Sequence, residues 1–195
     1  MTVILASTST IRRQLLENAG IMVVTQKPFT DEAKLKRAAA ALAPQALAQH
    51  LASAKCISVS TRHKEKLVIG ADQVLSFAGR TYDKPGNRDE AHSQLKALRG
   101  RTHTLVTAVC CARGGEIVWQ HSDRAELTMR AFSDSFLESY LVRMGADITN
   151  SVGAYKLEGQ GIQLFEHIQG DYFTILGLPL LPLLEFLRST GEAES

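Results

Sequence analysis

Motifs of several common enzyme classes are missing from this sequence of 195 residues. It has no GxxxxGK(S/T) loop, which excludes a P-loop nucleoside triphosphatase, and no GxGxxG dinucleotide-binding turn after a strand. Its six histidines show no HExxH or other ligand spacing, so they predict no zinc site. The GxSxG elbow of α/β-hydrolases is also absent.

Cysteine is scarce. The three cysteines are Cys56 and the adjacent pair Cys110 and Cys111, and no CxxC spacing occurs. Neighbouring residues of a strand point to opposite faces, so the pair predicts neither a disulfide framework nor a metal site. This usage is typical of a reducing compartment, and the N-terminus has no signal-peptide pattern. We therefore expect a cytoplasmic protein.

The sequence also lacks an excess of one charge and a long apolar run. The net charge is +2 and no basic-aromatic alternation occurs, so we expect no nucleic-acid partner and only local affinity for anions. The most apolar segment, residues 172–187, is shorter than the ~20 residues of a membrane span and is interrupted by glycine, proline and glutamate. We expect no membrane partner, and we interpret this segment as a core strand followed by a proline-started helix.

What is present predicts one α/β domain over residues 1–195. Short buried strands, at residues 3–5 and 67–69, alternate with helical patterns, while glycines at residues 79 and 114–115 indicate two hairpins. This alternation favours a mixed, largely central sheet flanked by helices. Ser9 and Asn87 are the predicted N-caps of two of the helices.

The first predicted helix breaks a rule of helix electrostatics. Arg12 and Arg13 lie in its first turn, where the partial positive charge of the helix favours acids. With the hydroxyls of residues 7–10 and the unpaired backbone N–H groups, they could form a phosphate cradle. Alternatively, both arginines point to solvent, where salt screens the misfit. In either case, the helix dipole predicts that Arg12→Ala does not lower the stability of the ligand-free protein.

Other candidate residues each have an ordinary alternative. Asp72 follows a buried strand, where ligands of open α/β sheets bind, but it could be a turn aspartate. Asp31 and Glu32 could bind a hard metal or form the acidic first turn of a helix. Lys55 and Lys84 could be solvated lysines, although the following Pro85 holds Lys84 extended.

Several stretches together resemble the Maf family of nucleotide pyrophosphatases. In order, they are "LASTSTIRRQLLENAG", "DE" at Asp31-Glu32, "LASAK" ending at Lys55, "GADQV" around Asp72, "KP" at Lys84-Pro85, "LRGRTHTLVTAV", "VGAYKLEGQG" and "GDYFTILGLPL". The resemblance covers nearly the whole chain and is specific only as a set.

The resemblance implies a Maf/ITPase-like α/β fold of two lobes around a deep cleft, usually as a homodimer. It also implies that a divalent cation, Mg²⁺ or Mn²⁺, supports cleavage of a nucleoside triphosphate to monophosphate and pyrophosphate. The implied roles are phosphate binding by Ser9, Arg12, Lys55 and Lys84, metal binding by Glu32 and Asp72, base catalysis by Asp72, and base-pocket contacts by Gln73 and Glu158. Arg13, from the same helix turn as Arg12, is a further candidate for substrate binding. A non-catalytic role in septum formation is the alternative of a different class.

The chain departs from the family pattern at Thr10, Asp83 and Ile11, and two further positions bear on the branch of the family. Thr10 stands in place of a proline and Asp83 in place of a glycine, and neither replaces a proposed catalytic group. Gln73 and Glu158 are similar to the branch acting on 7-methyl-GTP, whereas threonine and glutamine mark the branch acting on dTTP and UTP. Ile11 departs from the first branch, which carries tryptophan there.

Overall fold

The computed structural model, which describes residues 2–194, has a mixed β-sheet of seven strands, seven α-helices and three short 3-10 helices at Gly145–Thr149, Val152–Ala154 and Gln160–Leu164. The strands are β1 (Val3–Leu5), β2 (Val23–Thr25), β3 (Val68–Phe77), β4 (Arg80–Tyr82), β5 (Thr102–Arg113), β6 (Glu116–Met129) and β7 (Phe165–Gln169). The helices are α1 (Thr10–Asn18), α2 (Glu32–Ala38), α3 (Pro44–Ser60), α4 (Arg88–Leu98), α5 (Asp134–Met144), α6 (Tyr172–Ile175) and α7 (Leu180–Ser189). The strand order is β2-β1-β3-β5-β6-β7, with β4 paired to β3. The predicted α/β class with a mixed sheet is confirmed.

Side-chain caps fix where several helices begin. The Ser9 hydroxyl accepts a hydrogen bond from Arg12 N at 3.4 Å, and Asn87 Oδ1 accepts one from Glu90 N at 2.9 Å. Both predicted caps are therefore confirmed. Asp31 caps α2 in the same way, because its Oδ1 accepts from Lys34 N at 2.9 Å. Such bonds satisfy N–H groups that have no partner within the helix.

The described residues divide into two compact units. Unit 1 comprises residues 2–73, 106–123 and 171–194, and unit 2 comprises Val74–Leu105 and Arg124–Gly170. The single domain over residues 1–195 stays a prediction beside this division.

In unit 1, β1 is parallel to both of its neighbours, with Leu5 opposite Thr25 on β2 and Ile69 on β3. The prediction that Asp72 lies at the end of a buried strand is wrong, because β3 runs on to Phe77. β4 pairs with the last three residues of this extension, with Leu75 opposite Tyr82. Asp72 nevertheless lies beyond Ile69, the last residue of β3 that is paired with β1.

The predicted core strand within residues 172–187 is also wrong. Tyr172–Ile175 forms the short helix α6, and Asp171 Oδ2 caps it by accepting from Thr174 N at 2.7 Å. Aromatic and β-branched residues favour strands, but here the capping aspartate decides the local structure. The proline-started helix is confirmed as α7, which follows Pro179. Among residues 2–194, no helix is both long and apolar enough to cross a membrane.

Both predicted hairpins are present, β3-β4 and β5-β6, and the turn of the second lies in unit 1. Unit 2 contains one strand that was not predicted. The tight turn between β3 and β4 places Ala78 and Gly79 at φ values of 50° and 74°. β7 pairs antiparallel with the end of β6, with Ile168 opposite Leu127. It lies in a glycine-rich passage, whose composition hides the strand pattern.

Candidate active site

Three elements of unit 1 place charged side chains around one ammonium group. Lys55 comes from α3, Glu32 is the first residue of α2, and Asp72 lies within β3. Lys55 Nζ is 2.5 Å from Asp72 Oδ1 and 2.8 Å from Glu32 Oε2. The side chains of Asp72 and Lys55 are only 7% and 12% exposed, whereas that of Glu32 is 44% exposed. The alternative of a solvated lysine is therefore contradicted for Lys55.

Gly70 allows α3 to lie close enough to β3 for this contact. A Cβ atom at Gly70 would be 2.6 Å from both the Ala52 carbonyl oxygen and Cys56 Cβ. Residues i and i+2 of a strand share one face, so Asp72 points to the same side as Gly70. Because Lys55 precedes Cys56 on α3, the packing at Gly70 brings the lysine to the aspartate.

The start of α2 is anchored to α3. Phe29 N donates a hydrogen bond to Ser58 Oγ at 3.1 Å, which ties the segment before α2 to the helix that carries Lys55. With Asp31 as the cap, Glu32 then occupies the first helical position. Glu32 is thus the acidic first-turn residue of α2 and a partner of Lys55, and its metal-binding role stays a prediction.

Two lysines hold Glu32 ionised. Burial alone raises the pKa of Glu32, but the charges and hydrogen bonds of Lys55 and Lys36 outweigh it and lower the pKa from 4.5 to about 2. Lys36 Nζ lies 3.1 Å from Glu32 Oε1, one turn along α2. Glu32 therefore offers a carboxylate, not a carboxylic acid, at neutral pH.

Arg12 does not point to solvent. Its Nε donates to the Gly177 carbonyl at 2.7 Å, and its Nη1 donates to the Ala71 carbonyl at 2.9 Å. Burial lowers the pKa of Arg12, while the charges of Asp72 and Glu32 act in the opposite direction. Arg12 therefore ties α1 to the residue before Asp72 and to the loop after α6.

The other groups of the predicted phosphate cradle have local partners. Arg13 is exposed, and its Nε lies 3.6 Å from Glu17 Oε1 on the same helix. Ser9 N donates to Ser7 Oγ at 3.1 Å, which holds the turn before α1. Arg13 is exposed to solvent, as the alternative describes, and the phosphate-binding role of Arg12 and the hydroxyl segment stays a prediction.

Gln73 joins β3 to residues that the sequence analysis did not select. Its Nε2 donates to Thr107 Oγ1 at 2.9 Å and to the carbonyls of Thr174 and Ile175 at 3.1 and 3.0 Å. The Thr174 hydroxyl in turn donates to Asp123 Oδ2 at 2.9 Å. The capping pattern at Asp171 was the sequence signal that could have located this network. Neighbours on a strand face opposite sides, so Gln73 points away from the side on which Asp72 meets Lys55.

Lys84 and Glu158 belong to unit 2. Both residues are exposed, and Lys84 precedes the buried Pro85 in the loop between β4 and α4. Glu158 follows the buried Leu157 and precedes a glycine. The structure brings together Arg12, Glu32, Lys55 and Asp72 within unit 1, and the roles of Lys84 and Glu158 stay predictions.

A family match covers almost the whole chain. The sequence matches the family described as Maf-like protein over residues 2–190. This chain belongs to the Maf family. The resemblance found in its motifs is therefore confirmed, and the matched range contains every candidate site residue from Ser9 to Glu158.

Relatives of this Maf protein align over nearly their full lengths. A nucleoside triphosphate pyrophosphatase of Paramagnetospirillum magneticum is 50% identical over 96% of this chain and 98% of its own length. A 7-methyl-GTP pyrophosphatase of Rhizobium etli is 48% identical over 98% of this chain and 97% of its own length. A nucleoside triphosphate pyrophosphatase of Caulobacter vibrioides is 48% identical over 97% and 96%, respectively. These names agree on a pyrophosphatase and differ in how narrowly they define the substrate.

The donor atoms of this Maf protein fit a hard divalent cation. Among residues 2–194, no group of three or more His, Cys, Asp or Glu side chains is arranged to hold a metal. Glu32 and Asp72 supply two carboxylates within reach of the same ammonium. Mg²⁺ is commonly held by one or two carboxylates together with substrate phosphates and water, and Mn²⁺ prefers the same ligands. Two carboxylates without a third protein ligand therefore fit Mg²⁺ or Mn²⁺ that binds with a triphosphate.

Proposed function

We propose that this Maf protein is a metal-dependent nucleoside triphosphate pyrophosphatase, which converts a nucleoside triphosphate and water to the monophosphate and pyrophosphate. The observation that carries the proposal is the buried Asp72, held with Glu32 around Lys55. A binding protein needs positive charge for phosphates, but it does not need a shielded carboxylate at the same place. The names of the relatives from Paramagnetospirillum and Caulobacter support the same activity.

In this proposal, the oxygen of a water molecule bonds to the α-phosphorus as the bond from that phosphorus to the pyrophosphate oxygen breaks. Asp72 accepts the proton of the water as general base. Lys55 and the part of the Arg12 guanidinium that is not bound to carbonyls stabilise the negative charge on the phosphates, and Lys84 stays a predicted phosphate ligand. A divalent cation held by Glu32 and Asp72 would supply further positive charge and lower the pKa of a bound water.

The test is the identity of the product. The purified protein is incubated with a panel of nucleoside triphosphates, with Mg²⁺, Mn²⁺ or EDTA, and the phosphorus products are resolved by ³¹P NMR. Pyrophosphate and monophosphate are expected with metal, and neither with EDTA. Release of orthophosphate would indicate a phosphatase instead, and binding without turnover would indicate a regulator.

Glu32→Ala should raise the metal concentration needed for half-maximal turnover.

We further propose that 7-methyl-GTP is preferred over UTP and dTTP. A carboxylate can accept two hydrogen bonds from the N1–H and 2-amino group of guanine, and methylation at N7 adds a positive charge that a carboxylate favours. Glu158 is our candidate for this contact. The name of the Rhizobium relative supports this choice, although other relatives have the broader name. Gln73 would act indirectly, because its amide nitrogen already binds Thr107 and the backbone of α6.

The specificity proposal is tested by kcat/KM for 7-methyl-GTP, GTP, UTP and dTTP. Glu158→Gln should erode the preference for 7-methyl-GTP over UTP by roughly 1–3 kcal/mol, because the amide leaves one base donor unpaired. Glu166→Gln, which removes another exposed carboxylate of unit 2, is the matched control and should leave the ratio unchanged. A wild-type enzyme fastest on UTP or dTTP would contradict the proposal, as would an equal loss on every substrate.

The homodimer and the cytoplasmic location stay predictions. The relatives' names and the contacts within one chain do not bear on them. Sedimentation of the purified protein would decide the oligomeric state.

A further inference from the structure

Lys55 occupies the place between the two carboxylates that are proposed to hold the metal. Its ammonium lies 2.5 Å from Asp72 Oδ1 and 2.8 Å from Glu32 Oε2, so one cation already neutralises part of the charge of both. With a side chain only 12% exposed, Lys55 has exchanged most of its hydration for these two contacts. A divalent cation that binds the same oxygen atoms must compete with it.

The charges make it unfavourable for Lys55 and a divalent cation to bind the two carboxylates at the same time. The two carboxylates, Lys55 and the Lys36 ammonium beside Glu32 together carry no formal net charge. A divalent cation alone would neutralise both carboxylates, and an ammonium left beside it would be repelled. At ~4 Å and an effective dielectric constant of ~20, the repulsion between a divalent cation and an ammonium is many times the thermal energy before solvent and relaxation reduce it. The lysine side chain is long and flexible, so moving the ammonium is the least costly response.

We propose that Lys55 is an internal counter-ion which a divalent cation displaces from Glu32 and Asp72. The displaced ammonium then turns to the strongest remaining anion, the triphosphate. Metal and nucleotide therefore bind with positive coupling, and the metal binds weakly when no nucleotide is present. This inference rests on the proposed function, because it takes Glu32 and Asp72 as the metal ligands.

The same exchange changes the partner of Asp72 Oδ1, from the ammonium of Lys55 to the divalent cation. Lys55 is thus a positioning residue whose location changes with the metal, and not only a phosphate ligand.

The first experiment uses the wild-type protein without nucleotide. Lysine side chains are labelled by reductive methylation with and without saturating Mn²⁺, and the extent of labelling is read by peptide mass spectrometry. Labelling of Lys55 should rise several-fold with Mn²⁺, whereas that of Lys64, an exposed lysine, should not change. Unchanged or reduced labelling of Lys55 at saturating Mn²⁺ would overturn the proposal.

The second experiment measures Mn²⁺ affinity by electron paramagnetic resonance, again without nucleotide. Lys55→Met removes the competing ammonium and should tighten Mn²⁺ binding by at least about tenfold, although it abolishes the proposed activity. Lys36→Met is the matched control, since it also removes one positive charge beside Glu32, at 3.1 Å, and should change the affinity by less than about threefold. Equal or weaker binding by a folded Lys55→Met would overturn the proposal.

Lys55→Arg keeps the charge and should therefore keep the weak Mn²⁺ binding. Tight Mn²⁺ binding by that variant would contradict the proposal even if Lys55→Met does not fold.

These results are separable from the proposed function. If no pyrophosphate forms with any nucleotide and metal, the proposed function fails. If pyrophosphate forms but neither the labelling nor the Mn²⁺ affinity responds as expected, only the counter-ion role of Lys55 fails.

Discussion

Asp72 combines burial with an ionic partner, and both properties matter for its proposed chemistry. Its side chain is 7% exposed, and Oδ1 is paired with Lys55 at 2.5 Å. Removing one member of a buried pair leaves the other uncompensated, so a change at either residue affects stability as well as activity. Substitutions that keep the shape of the side chain therefore separate the two effects best.

We expect Asp72→Asn to lower kcat by at least about 10²-fold, the scale of losing a positioned base. Asparagine keeps the volume of the side chain, and Glu32 remains as a partner for Lys55, so folding and nucleotide binding should persist. Pyrophosphate release and nucleotide binding by calorimetry are the measurements. Turnover close to that of the wild type would exclude Asp72 as the base.

The hydrogen bonds of Arg12 reverse the expectation, drawn from the helix dipole, that Arg12→Ala does not lower stability. Because Arg12 donates to the carbonyls of Gly177 and Ala71, Arg12→Ala leaves two acceptors without their partner. We expect a loss of about 1–3 kcal/mol in the free energy of unfolding of the ligand-free protein, larger than the few tenths to ~1 kcal/mol regained from the dipole. Arg13→Ala, in which an exposed arginine is removed, should change it by less than about 0.5 kcal/mol. Urea denaturation of both variants decides between the two accounts, and equal stabilities would favour the dipole account.

At the scale of elements, the contact between α3 and β3 sets the geometry of the site. Gly70 lies in this contact, where a Cβ would meet backbone and Cβ atoms at 2.6 Å that cannot rotate away. The helix must shift to admit a methyl group. Since the same helix carries Lys55, a shift also alters the distance from Lys55 to Asp72.

Gly70→Ala should therefore destabilise the protein by about 1–3 kcal/mol through overpacking. It should also lower kcat/KM, because small displacements of catalytic groups have large effects on rate. Gly159→Ala is the control for stability, because a Cβ there would have its nearest neighbour at 3.9 Å. If Gly70→Ala were as stable and as active as the wild type, the close packing of α3 on β3 would not be what positions Lys55.

Most elements could be predicted because their signals are local. The caps at Ser9 and Asn87, Pro44 at the start of α3 and the glycines of the two hairpins act within a few residues. The extension of β3 past Asp72 depends instead on pairing with β4, and α6 depends on Asp171 overriding a strand-like composition. Periodicity alone does not show whether local preference or tertiary pairing decides the structure of such a segment.

The candidate site was predictable as a set of residues but not as an arrangement. Glu32, Lys55 and Asp72 are far apart in the sequence, so only the folded chain shows that one ammonium joins them. The bonds of Arg12 and Gln73 to backbone carbonyls have no sequence signal, because any residue supplies a carbonyl. The resemblance to the Maf family identified the residues, and the structure added their partners.

At the scale of the molecule, acid stability depends on groups outside the proposed site. His103 in unit 2 is 1% exposed, its Nε2 is 2.7 Å from the hydroxyl of Tyr155, and its Nδ1 has no hydrogen-bond partner among residues 2–194. Burial lowers the pKa of His103 from 6.5 to about 4. Folding therefore keeps this histidine neutral.

The sign of the pH effect follows from that shift. Between pH 6.5 and 4, the unfolded chain binds a proton at His103 that the folded protein does not. The free energy of unfolding therefore falls as the pH is lowered through this window, by about 3 kcal/mol in total. Glu32, with a pKa lowered from 4.5 to about 2, loses its contribution at lower pH, as the pH falls from 4.5 through 2. The two windows overlap only between about pH 4.5 and 4. Urea denaturation of the wild type and His103→Phe at pH 7.5 and 4.5 should show a drop roughly 2–3 kcal/mol smaller for the variant. His167→Phe, a change at an exposed histidine, should behave as the wild type does, and an equal drop in all three proteins would mean that His103 does not set acid stability.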